Sequence, residues 1–79
     1  MKIDKIFIKR SNSSTECTEG LESVNATHGT VYYGITQKNG RPTTTVVYFF
    51  PQNAENDSWA QSNQKAAIRE ARNVIKNKN

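Results

Sequence analysis

The sequence predicts an α+β domain in which a small antiparallel sheet of three or four strands packs on one C-terminal helix. Three observations carry this. Two runs rich in β-branched and aromatic residues flank Asn39-Gly40. An apolar stripe at helical spacing crosses residues 64–75. An apolar run broken by charges opens the chain over residues 2–9. With 79 residues there is room for a single core, so residues 1–79 form one domain.

Residues 2–9 read as a strand, with Ile6 and Ile8 toward one face and Ile3 and Phe7 toward the other. Residues 11–29 form a polar segment that leaves alternatives open. Cys17, Leu21 and Val24 stand at i, i+4 and i+7, as on a short helix. Gly20 and the Ser, Thr and Asn content favour a loop or a short edge strand instead.

Residues 30–50 read as a hairpin. Asn39-Gly40 suits a type I′ turn, which needs positive φ at both central residues. Lys38 then faces Arg41, and Gln37 faces Pro42 where the missing N–H costs nothing. Continued without interruption, this register sets Ile35 opposite Thr44, Tyr33 opposite Val46 and Val31 opposite Tyr48. Those residues, with Phe50, make the apolar face. The opposite face carries threonines and a patch of Tyr32, Val47 and Phe49.

Pro51 ends the hairpin, and a helix is expected from about Ser58 to Lys76. Ser58 and Gln61 fit a capping box, with Asp57 adding favourable charge at that end. Gln64, Ala67, Ile68, Ala71, Val74 and Ile75 share one stripe, and the two alanines allow a close approach to the sheet. Trp59, at the helix start, is read as a packing residue ahead of a binding one.

Two surfaces are candidates for function. A sheet with one helix leaves its second face to water, to residues 11–29 or to a partner, so Tyr32, Val47 and Phe49 form a candidate protein-binding patch. On the helix, Lys65, Arg69, Arg72 and Lys76 fall within about 60° of one another, away from the apolar stripe. Such a row can track a phosphate backbone or an acidic protein surface. Lys38 and Arg41 add a smaller basic point at the hairpin tip.

Several classes are disfavoured. No apolar run is long enough to span a bilayer. Cys17 is the only cysteine, so no intrachain disulfide forms and a cytoplasmic address is the default. No phosphate loop, dinucleotide fingerprint or zinc spacing occurs, so no cofactor and no metal is expected. His28 and Cys17 lack an orienting third group, and no catalytic residue is assigned. Glu16, Glu19 and Glu22 read as solvated loop charges.

The expectation is a non-enzymatic binding protein that associates stoichiometrically with another protein, as an inhibitor or adaptor. The abundance of Lys, Asn and Ile suggests a phage or mobile-element source. Self-association into a homodimer is one form of that reading. The alternative is a nucleic-acid-binding protein that uses the basic helix face. The net charge of +4 is modest for the alternative, which favours the protein partner.

Overall fold

The computed structural model of the chain describes residues 3–78, apart from the side chains of Asp4, Thr36, Lys38, Pro42, Thr43, Thr44 and Lys78. Its elements are β1 (Ile3–Ile8), β2 (Glu22–Asn25), β3 (Gly29–Lys38), β4 (Arg41–Pro51), α1 (Ala54–Ser62) and α2 (Gln64–Lys78), with a 3-10 turn at Glu16–Thr18. The strands make one four-stranded sheet in the order β1-β4-β3-β2. The class is α+β, as the sequence indicates. The sheet is mixed, because β1 runs parallel to β4 while the other pairs are antiparallel.

The hairpin turn is as expected. Asn39 and Gly40 take φ of 55° and 76°, and Lys38 pairs with Arg41 and Gln37 with Pro42. Beyond that pair the register shifts. Thr36 faces Thr44, and from there Ile35 pairs with Thr45, Tyr33 with Val47 and Val31 with Phe49. One extra residue on β4 makes a bulge, and a one-residue slip exchanges the faces of everything after it. The physical gain is clear. The bulge turns the wholly apolar Val47 and Phe49 inward beside Val31 and Tyr33, and turns the hydroxyl of Tyr48 outward.

This corrects the expected faces. Val47 and Phe49 are core residues with 0% exposure, not members of an open patch, and Tyr32 lies on the other side of the sheet from them. A second irregularity, between Ile3 and Lys5, brings Ile3 opposite Thr45 and onto the core beside Ile6 and Ile8. It was expected on the side of Phe7.

Val31, Tyr33, Val47 and Phe49 pack against Ala60 of α1 and Ala67, Ala71 and Ile75 of α2. Ala60, Ala67 and Ala71 are wholly buried, so the helices lie close on the sheet. Ile35 shares this face by alternation but is 50% exposed, so the helix layer ends before it.

The helical region is two helices, not one. Asn53, not Ser58, caps the first: its side chain accepts the Asn56 backbone N–H at 2.9 Å. Asn63 separates the two, with φ −131° and ψ 53°. Its backbone N–H and its side-chain amide both donate to the Trp59 carbonyl, and its own carbonyl accepts from Ala67 N–H at 3.0 Å. One asparagine therefore closes α1 and starts α2.

β1 and β2 lie at opposite edges of the sheet, so residues 9–21 must cross a face. They cross the face opposite the helices. A Cβ placed on Gly34 would collide with the Leu21 side chain, which therefore lies over that position. Val24, on β2, instead packs with the core. The polar segment thus combines a 3-10 turn, a crossing loop and an edge strand.

Candidate functional site

The outer surface of α2 is the most distinct chemical feature of the molecule. The residues of its buried stripe recur at helical spacing, which leaves Lys65, Arg69, Arg72 and Lys76 pointing outward. All four are exposed. Their axial spacing follows from a rise of about 1.5 Å per residue, which sets neighbours roughly 4.5–6 Å apart over three turns. None of them forms an ion pair with a described residue.

Glu70 is the only acidic residue of α2, and it is turned away from this row. Its Oε1 lies 2.8 Å from His28 Nδ1, and its Oε2 accepts the His28 backbone N–H at 3.4 Å. The two side chains are 17% and 30% exposed. The imidazole also stacks on the indole of Trp59, with centroids 3.7 Å apart and planes 9° apart. His28, Trp59 and Glu70 come from the β2–β3 turn, α1 and α2, and they tie the three together. Sequence reasoning assigned His28 no role and did not connect it with Glu70. They are 42 residues apart, and no local spacing signals the contact.

Among the described residues, three depressions border the row. One, of about 410 Å³, is lined by Lys65, Ile68, Arg69, Arg72, Asn73 and Lys76. A second lies over the α1–α2 junction at Gln61–Ala66 and Arg69. The third is lined by Trp59, Arg69, Glu70 and Asn73 among others. Arg69 lines all three, which places it at the centre of this surface.

The other basic positions stand apart. Arg41 is exposed at the hairpin tip, beyond the point where the helix layer ends. The side chain of Lys38 lies outside the described residues.

The sheet face away from the helices carries an aromatic cluster, with membership different from that expected. Phe7 and Tyr48 stack across β1 and β4 at 5.5 Å, and Lys9 Nζ lies 5.9 and 5.3 Å from their ring centroids. Tyr32 meets Phe50 edge-on at 5.4 Å. Phe50 is buried, whereas Phe7 is 43% exposed. Of the three residues expected on this face, only Tyr32 is there.

Glu22, one of the three loop carboxylates, accepts the Tyr33 hydroxyl at 2.9 Å. Among the described residues no helix is long and apolar enough to cross a membrane. Compared with known proteins, the chain matches no family model, no curated sequence and no solved structure.

Proposed function

We propose that the chain is a non-enzymatic nucleic-acid-binding protein that lays the outer face of α2 along a phosphate backbone. One observation carries this reading. Four exposed cations share a helix face, and the only acid of that helix is held by His28 on another side. A row of unneutralised cations releases counterions when it meets phosphates, and this release drives sequence-independent binding.

The test is fluorescence anisotropy of a labelled oligonucleotide as salt is raised. Four phosphate contacts give a log–log slope of about −2.8 on a single strand and about −3.6 on a duplex. A fourfold rise in salt then weakens binding by roughly fiftyfold or more. Arg69→Glu combined with Arg72→Glu removes binding while circular dichroism stays unchanged. Binding that ignores salt, or that survives this double substitution, overturns the reading.

A second reading rests on the exposed Phe7 ring beside Tyr48 and Lys9. An aromatic sheet face of this kind suits a protein partner, with the chain acting as a stoichiometric inhibitor or adaptor. The sequence alone favours this reading, but two of the three residues behind that preference, Val47 and Phe49, are in the core. It gains if a single protein, retained at high salt after nuclease treatment, is lost with Phe7→Ala and kept with Arg69→Glu. It fails if Phe7→Ala leaves capture unchanged.

A further inference from the structure

We infer that the α2 row takes duplex nucleic acid in preference to single strands, and holds it without stacking any base. This inference rests on the phosphate-binding role of the row and names the form of its ligand.

Binding of single strands without sequence preference draws on aromatic side chains on which successive bases stack. The aromatic residues of the chain are one Trp, three Tyr and three Phe, and the fold accounts for each of them. Tyr33 and Phe49 are buried in the core. Phe50 is buried and meets Tyr32 edge-on. Phe7 and Tyr48 stack on each other, on the face of the sheet away from the helices. Trp59 is covered by the imidazole of His28 at 3.7 Å and packs against the core. α2 itself carries no aromatic residue.

A strand lying on the row therefore meets cations and no free ring. The exposed ring of Phe7 is separated from the row by both the sheet and the helix layer, so a nucleotide that touches Arg69 cannot stack on it. Stacking is worth about 1–3 kcal/mol per base in proteins that bind single strands, and the row forgoes it.

What the row offers suits a duplex. Ala67, Ala71 and Ile75 are buried and hold α2 against the sheet, so the four cations project from a fixed helix. From Lys65 to Lys76 the row is about 16 Å long. The grooves of a duplex are about 6 and 12 Å wide, so the two ends of the row can reach phosphates of different strands. A duplex holds those phosphates in place, whereas a single strand loses conformational freedom when it is drawn out along the row. A duplex also carries one charge per about 1.7 Å of its axis, and its salt slope is about 0.9 per contact against about 0.7 for a single strand.

The unaltered chain is titrated into labelled oligothymidylate and into its duplex with oligoadenylate, and anisotropy follows binding over a range of salt. Four contacts predict log–log slopes of about −3.6 for the duplex and about −2.8 for the strand. With no stacking to offset that difference, the duplex binds about sixfold tighter at roughly 0.1 M salt. Arg69→Gln, at an exposed position, makes the duplex slope shallower by about 0.9.

The comparison of the two ligands uses the unaltered chain, so it is free of any folding defect in a variant. Single-strand binding as tight as duplex binding, or a duplex slope no steeper than that of the strand, overturns the duplex inference and leaves the row reading standing. If Arg69→Gln leaves the duplex slope unchanged, the duplex sits elsewhere on the molecule and both readings fall. If neither oligonucleotide raises the anisotropy, the row reading fails and the duplex inference falls with it.

Discussion

The carboxylate of Glu70 meets Nδ1 of His28 at 2.8 Å, across 42 residues of sequence. This pair engages the one acidic side chain of α2 with a partner outside the row. It also anchors the β2–β3 turn to the helix layer, and both partners are less than one-third exposed.

Glu70→Ala is therefore expected to cost about 1 kcal/mol, more than a surface carboxylate would. Urea unfolding of Glu70→Ala, His28→Ala and the double variant measures the coupling. A value of about 0.5–1 kcal/mol is expected, and strict additivity would show that the contact contributes nothing.

The bulge in β4 makes a prediction with opposite outcomes for two adjacent residues. Phe49→Ala opens a cavity in the core and should cost about 3–5 kcal/mol, much of the stability of a domain this small. Tyr48→Ala, on the face away from the helices, should cost well under half of that. In an uninterrupted hairpin register the order would be reversed. Thermal unfolding of the two variants decides between them.

The start of α1 allows a similar contrast. Asn53→Ala removes the cap on the Asn56 N–H and should cost about 1 kcal/mol. Ser58→Ala changes an exposed position inside the helix and should stay within about 0.5 kcal/mol. Equal costs, by urea unfolding, would contradict the observed helix boundary.

How much of this was legible follows from which forces are local. The Asn39-Gly40 turn, the apolar stripe of α2 and the row from Lys65 to Lys76 depend on neighbours in sequence, and each is found where residue spacing put it, except that Gln64, expected in the stripe, is exposed. The bulge is different. It depends on whether Val47 and Phe49 gain more by joining Ile6, Ile8 and the helices than the ladder loses by one mismatch, and no hairpin rule contains that comparison. The helix start was misplaced because Asn53 and Ser58 are both good caps, and sequence pattern favoured the one with Gln61 behind it. The His28–Trp59–Glu70 contact is purely tertiary, and only the fold assembles it.

The parallel pairing of β1 with β4 has a consequence for how the chain is made. Ile6 and Val47 are partners although roughly forty residues separate them, so this is a distant contact that forms slowly. On the ribosome β1 emerges first, yet its partner strand is synthesised only after the crossing loop, β2 and β3. Until then Ile3, Ile6 and Ile8 have neither sheet nor helices to cover them. Until β4 is available β1 is an apolar strand without its partner, and this strand is where misassembly would begin.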